Sequence, residues 1–271
     1  MKRLIHLSDP HFGAADPQIA ASFIETAHNL DPDLTVLSGD LSMTARRSEL
    51  DAAARFIDQL PSPRIIIPGN HDIPYFNHPY DRFFRPFRRY QQRIHPDIEP
   101  VYRDDIFDVI CLNSPRPFGF HTDWSDGRLS RHQISRIAGH FAETPAHPCR
   151  ILVIHHPLLE LKVSGRAVVK PLAALMAAME SSQLDLVLCG HFHRSQIAAK
   201  SLTGSWKTMI SQAPTVCSTR LQGEPQGFHE ILISAAHVEI IQHTFIDGNF
   251  QKTADFPFEK TDKGWNHALQ A

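Results

Sequence analysis

Short apolar runs recur along the chain, and each gives way to polar residues with the character of a turn. Leu4-Ile5-His6-Leu7 leads to Ser8-Asp9-Pro10-His11, Leu34-Thr35-Val36-Leu37 to Ser38-Gly39-Asp40, and Ile65-Ile66-Ile67 to Pro68-Gly69-Asn70-His71-Asp72. Ile151-Leu152-Val153-Ile154 leads to His155-His156-Pro157, and Leu186-Val187-Leu188-Cys189 to Gly190-His191-Phe192-His193. Runs this short and unbroken are strands buried on both faces, or pieces of buried helix.

The segments between them decide. Asp16 can cap a helix that has Pro17 at its first position and an apolar stripe of Ile19, Phe23 and Ala27, with Ala20 and Ile24. Residues 47 to 60 repeat the pattern with Leu50, Ala53, Ala54, Ile57 and Leu60. Ser130 and Gln133 form a capping box for a third helix burying Ile134, Ile137, Ala138 and Phe141, and Lys170 to Ser181 is a fourth candidate. Strands alternating with helices predict α/β layers with parallel strands at the centre. The last third is different. Trp206 to Ile210, Phe228 to Ser234 and His237 to Phe245 are β-rich, and are expected to be antiparallel strands of a second sheet. Residues 1–246 are read as one domain, and 247–271 as a polar C-terminal tail with aromatics. Residues 73–103 are the other irregular region, an inserted cap-like segment where six arginines alternate with Tyr75, Phe76, Tyr80, Phe83, Phe84, Phe87 and Tyr90. That segment is either a cation and stacking surface for a nucleotide or amphipathic helices with solvated arginines over a buried aromatic face.

Composition narrows the class. A net charge of −2 over 271 residues argues against a protein that binds nucleic acid by charge alone. The four cysteines show no CxxC spacing, so neither a disulfide framework nor a zinc ribbon is indicated. Lys2 and Arg3 precede too few apolar residues for a signal-peptide core, and no run approaches the roughly 18 apolar residues of a membrane span; the chain reads as cytoplasmic. Eighteen histidines against four tyrosines need a chemical or structural account. His78, His95, His121, His132, His140, His147 and His229 are expected at the surface.

In an open α/β sheet, ligands bind outside the carboxyl ends of the strands. Here five such ends carry Asp, His or Asn. Each alone is ambiguous: Asp9-Pro10-His11 and Gly39-Asp40 can be turns, Asn70-His71 a tight turn, and His155 a satisfied core histidine. Pooled, Asp9, His11, Asp40, Asn70, His155, His191 and His193 make two carboxylates, one amide and four imidazoles, with no thiolate. That exceeds the four ligands of a tetrahedral zinc site and suits two ions about 3.5–4 Å apart bridged by one carboxylate. The absence of sulfur favours Mn, Fe, Co or Zn.

In this order and at strand ends, Asp-x-His, Gly-Asp, Gly-Asn-His-Asp, His and Gly-His-x-His resemble the calcineurin-like metallophosphoesterases, over positions 9 to 193. Ser8-Asp9-Pro10-His11, Gly39-Asp40-Leu41 and His155-His156-Pro157 look most like the bacterial cyclic-nucleotide and glycerophosphodiester phosphodiesterases. The resemblance implies a four-layer α/β/β/α sandwich of two mixed sheets flanked by helices. It also implies two divalent ions, one held by Asp9, His11, Asp40 and His193, the other by Asp40, Asn70, His155 and His191, with Asp40 bridging. His155 is preferred to His156 because it directly follows the strand. A bridging hydroxide would attack phosphorus, Asn70 and His71 would contact the substrate, and His71 would stabilise or protonate the leaving alkoxide.

The phosphoprotein phosphatases of this superfamily carry an Asp-Arg pair where this chain has Met43-Thr44. That departure argues against a protein phosphatase and leaves His71 to be oriented by another group. The expected activity is hydrolysis of a small phosphodiester, a 3′,5′-cyclic nucleotide such as cAMP first and a glycerophosphodiester second. A metal-dependent nuclease or phosphomonoesterase is the enzymatic alternative, and a non-catalytic binding module the other. Phe250, Phe256, Phe258 and Trp265 permit a homo-oligomer without requiring one.

Overall fold

Leu4 and Ile5 are both fully buried, which a strand requires when each of its faces is covered. They lie on β1 (Lys2–Leu7), an interior strand of a seven-stranded mixed sheet. β1 pairs in parallel with β2 (Leu34–Leu37), which pairs in parallel with β3 (Arg64–Ile66). On its other side β1 runs antiparallel to β10 (Gly227–Ile233), followed by β11 (His237–Ile246), β12 (Asn249–Thr261) and β13 (Gly264–His267). The second sheet has the order β4 (Val101–Arg103), β5 (Phe107–Cys111), β6 (Cys149–Val153), β7 (Leu186–Cys189), β9 (Thr208–Gln212) and β8 (Gln196–Lys200). Its middle strands are parallel and its edges antiparallel. This computed structural model describes residues 1–118, 126–142, 149–160, 168–201 and 203–268.

The inner faces of the sheets meet in a core of Leu4, Val36, Ile65, Val109, Ile151, Leu186, Met209 and Ile231. α1 (Pro17–Leu30) and α2 (Arg47–Asp58) cover the outer face of the first sheet through Phe23, Ala27, Ala53 and Phe56. α5 (Arg131–Ala142) and α6 (Leu172–Ser181) cover the second through Ile137, Phe141, Leu175 and Met179. The layers are therefore α/β/β/α. The local signals act as read: Asp16 Oδ1 accepts from the backbone of Gln18 and Ile19, and Ser130 and Gln133 bond reciprocally across the first turn of α5.

Three expectations change. First, the β-rich last third is not a separate sheet, because β10 and β11 extend the first sheet while β9 extends the second. Second, residues 249–267 are not a tail: β12 and β13 complete the first sheet, with Phe258 and Trp265 inside the intersheet core. The turn into them is Asp247-Gly248, both at positive φ (49° and 88°), the backbone of a two-residue hairpin whose twist suits the flanking strands. Third, His229 is fully buried rather than superficial. His121 and His147 lie outside the described residues.

The cap-like segment holds α3 (Pro79–Phe84), α4 (Arg88–Arg93) and the edge strand β4. It inverts the amphipathic expectation in its first half: Arg82 is 1% exposed, donating to the Pro74 carbonyl, while Phe76, Tyr80 and Phe84 are 52%, 59% and 74% exposed. The second half follows it. Tyr90 is buried against the first sheet with its hydroxyl on the Ile66 carbonyl, and Arg93 pairs with Asp51 of α2. Among the described residues, no helix is long and apolar enough to cross a membrane.

Candidate metal centre and catalytic cleft

The loops that follow β1, β2, β3, β6 and β7 converge at one end of both sheets. They are stitched together by backbone bonds: Asp9 and His11 donate to the Gly39 and Asp40 carbonyls, and Gly190 donates to that of His155. Asp9, His11, Asp40, His191 and His193 all adopt positive φ, between 47° and 77°. Side-chain-bearing residues in this region cost about 1–3 kcal/mol each and persist where their surroundings over-determine them. The concentration of five such residues at strand ends marks a site built for something other than stability. Glycine allows the close packing. A Cβ at Gly69 would lie 2.1 Å from Asp40 Oδ1, and one at Gly190 would lie 1.9 Å from Ser8 Oγ.

All seven residues singled out as ligand candidates are brought together and buried. Asp9, His11, Asp40 and His193 each offer a ligand atom within 4.8 Å of the others, and Asp40, His155 and His191 form a second group, so Asp40 belongs to both. Asn70 Oδ1 joins that second group, 3.2 Å from His155 Nε2 and 3.0 Å from His191 Nδ1. His155 is the histidine that faces Asp40. The ring of His156 turns instead to Ser114 Oγ, 2.8 Å away.

Whether these groups fit cations can be decided from their protons. A backbone carbonyl only accepts, so the ring nitrogen facing one carries hydrogen. His11 Nδ1 faces the Ser42 carbonyl (3.3 Å), His155 Nδ1 that of Ser38 (2.8 Å) and His193 Nδ1 that of Arg220 (2.8 Å). In each neutral ring, Nε2 then carries a lone pair. Those of His11 and His193 face one another at 2.9 Å, and that of His155 faces Asp40 Oδ2 at 3.3 Å. Acceptors this close, in a dry site, require positive charge between them. Protons supply part of it: burial opposes the His155 imidazolium, yet the Asp40 carboxylate lifts it to about 9, while burial drives His11 down to about 3. Divalent ions supply all of it, and histidines whose second nitrogen is anchored on a carbonyl are how proteins aim imidazoles at metals. Imidazole, carboxylate and amide oxygen without thiolate fit borderline divalent ions. The two clusters can therefore hold two metal ions.

His71 is half-buried at the edge of this cluster, its ring centroid 4.8 Å from that of His11. Its backbone N–H donates to Asp40 Oδ1 (2.8 Å), and its Nδ1–H donates to the Met43 carbonyl (2.7 Å). The group that orients the ring is thus backbone. It needs no acid at position 43, and it leaves Nε2 turned away from the carbonyl. Sequence reasoning also assigned nothing to Asp72, although it ends the Gly-Asn-His-Asp motif. Its buried carboxylate accepts from the backbone of Leu41, Ser42 and Gly69 and from the Ser42 hydroxyl, tying the Asp40 loop to the Asn70 loop. Burial and the nearby Asp40 push its carboxyl up to about 7 against those four donors.

The chain is similar to known proteins in sequence and in fold. The calcineurin-like phosphoesterase family model matches residues 2–195. A protein named a probable cyclic nucleotide phosphodiesterase, from Synechococcus, is 28% identical over 192 residues, covering 68% of this chain and 67% of its own. The glycerophosphodiester phosphodiesterase GpdQ of Enterobacter lignolyticus is 26% identical over 210 residues, 70% of each chain. Among solved structures, the purple acid phosphatase PPD1 from yellow lupin seeds superimposes with a TM-score of 0.72 at 14% identity, a likeness of fold. It covers 94% of this chain, which spans about half (53%) of that longer one.

Proposed function

Since the chain belongs to the calcineurin-like phosphoesterase family, we propose that it is a two-metal phosphodiesterase acting on a small phosphodiester, a 3′,5′-cyclic nucleotide in the first place and a glycerophosphodiester in the second. One observation carries the reading: two groups of inward-facing donors share the single carboxylate Asp40, and Nε2 of His71 stands beside them. Asp9, His11, Asp40 and His193 would hold one ion, and Asp40, Asn70, His155 and His191 the other. When bound, such ions supply Lewis acidity and an activated water.

The chain's own residues supply the rest. Asn70 turns Oδ1 to His155 and His191, leaving its buried Nδ2 without a partner and able to donate to a phosphoryl oxygen. His71, fixed through Met43 by its Nδ1–H, would act as the imidazolium, presenting Nε2–H to the leaving oxygen and giving up that proton as the ester bond breaks. The names of two sequence relatives, a cyclic nucleotide and a glycerophosphodiester phosphodiesterase, support the two substrate classes. The deciding experiment is a turnover screen with added Mn, Fe, Co or Zn against cAMP, glycerophosphoethanolamine, bis(p-nitrophenyl) phosphate and p-nitrophenyl phosphate. Diester turnover well above monoester turnover is expected. Preference for the monoester would make the protein a phosphatase, and full metal occupancy without any turnover would make it a binding module.

A further inference from the structure

Arg220 lies outside every motif of the sequence, in the 213–226 connection between β9 and β10. Its guanidinium nevertheless reaches the cleft. Nη1 lies 3.5 Å from His71 Nε2 and 3.6 Å from Met43 Sδ. Among the described residues no carboxylate pairs with it, so a half-buried permanent cation stands against a histidine and a thioether. Neither neighbour compensates its charge. A guanidinium cannot release its proton, and its planar fork suits the oxygens of a phosphate.

The residue is also held in place. Its N–H donates to Ser218 Oγ (3.1 Å), and its carbonyl receives the Nδ1–H of His193 (2.8 Å). On either side the loop is pinned: Thr219 donates through both N–H and hydroxyl to the Ala14 carbonyl, Arg194 Nε donates to the Gln222 carbonyl, and Glu224 accepts the Ser195 N–H. The backbone that fixes the guanidinium is thus the same backbone that aims His193. A cation preorganised in this way, beside the nitrogen assigned to the leaving oxygen, is placed for an anion that enters the cleft.

We propose that Arg220 contacts the substrate, binding a non-bridging oxygen of the phosphodiester while His71 Nε2 faces the leaving oxygen. This assignment rests on the phosphodiesterase reading above. It makes the phosphoryl charge, rather than the alcohol or base attached to it, the feature that Arg220 recognises. It also predicts that inorganic phosphate, which offers the same oxygens, occupies the same contact.

The test compares the manganese-loaded unmodified protein with Arg220→Ala and Arg220→Lys. Calorimetric titration with inorganic phosphate reads the contact whether or not the protein turns over a diester. The alanine variant is expected to bind phosphate about tenfold to a hundredfold more weakly, the loss of one charge-assisted hydrogen bond. Lysine should recover part of that loss, because it keeps the charge and gives up the fork. Bound manganese should be unchanged in both variants, since His193 is held by the carbonyl of residue 220 and not by its side chain. With bis(p-nitrophenyl) phosphate, KM should rise by a comparable factor. Unaltered phosphate affinity in the alanine variant would overturn the assignment. Failure of the unmodified protein to hydrolyse any diester would instead count against the function proposed above, and the phosphate titration would still decide the role of Arg220.

Discussion

Replacing His71 with alanine separates proton donation from metal binding more cleanly than any other change in the cleft. The imidazole is half-buried with its ring edge-on to that of His11, and its backbone N–H donates to Asp40 Oδ1, a bond that alanine keeps. Metal content should therefore stay as in the unmodified protein. What disappears is the Nε2–H of the imidazolium, aimed by the 2.7 Å bond from Nδ1–H to the Met43 carbonyl. A positioned general acid contributes about 10²–10⁴ in rate, or about 2.7–5.4 kcal/mol at 1.36 kcal/mol per decade. That loss should appear in full only where the leaving group needs a proton. The assay measures kcat/KM for two diesters of one acid, one losing an alkoxide and one losing p-nitrophenolate, with metal quantified in the same preparations. The alkyl diester should fall by the full factor and the nitrophenyl diester by much less. An equal fall on both would show that His71 positions substrate without donating a proton, and no fall on either would remove it from the reaction.

Asp40→Ala strips a carboxylate shared by both donor groups, so the purified variant should carry less than half the metal of the unmodified protein and show no measurable turnover; full metal content would contradict the shared role. Trp265→Ala empties a fully buried site and removes the indole N–H that Asp185 Oδ1 accepts at 2.8 Å, leaving that oxygen to Lys260; a loss of about 3–5 kcal/mol is expected in urea unfolding, where a dispensable tail would lose less than about 1. Acid stability should follow His6 and His229, joined through Ser211 Oγ in the core between the sheets. Burial, reinforced by His229 beside His6 and His243 beside His229, lowers both below the ordinary 6.5, His229 to about 3, while Asp9 acts on His6 in the opposite sense. The unfolded chain then takes up their protons first, so the stability they provide is full above about pH 6.5 and drains away as pH falls, for His229 toward about 3. His229 should cost about 2 kcal/mol between neutral pH and pH 5, with His6 acting in the same direction, and His229→Gln should make the decline measurably shallower.

Much of this was legible because the chemistry sits where buried strands stop. An apolar run such as Leu34–Leu37 can only be a doubly covered strand, and the polar residues that follow it must be at its end. Asp9, Asp40 and His155 could therefore be placed together before any coordinate was known. β5 escaped notice because Asp108 interrupts its apolar run; the structure buries that carboxylate by pairing it with Arg103 and His140. The C-terminal strands escaped because Lys252, Thr253, Asp255 and Glu259 read as solvated, although the Asp247-Gly248 turn and the alternating Phe256 and Phe258 were hairpin signals. The remaining omissions have a deeper cause. The groups that aim His11, His71, His155 and His193 are the carbonyls of Ser42, Met43, Ser38 and Arg220, and a carbonyl has the same identity whatever side chain accompanies it. Arg220 itself comes from a loop with no motif, and only the folded chain brings it to His71.

The central claim is that one carboxylate, Asp40, serves two ions at once. The direct measurement is anomalous diffraction at the metal edge from crystals grown with manganese. Two peaks about 3.5–4 Å apart, one among Asp9, His11 and His193 and the other among Asn70, His155 and His191, with Asp40 touching both, is the expected result. A single peak, or two that do not share Asp40, would contradict it.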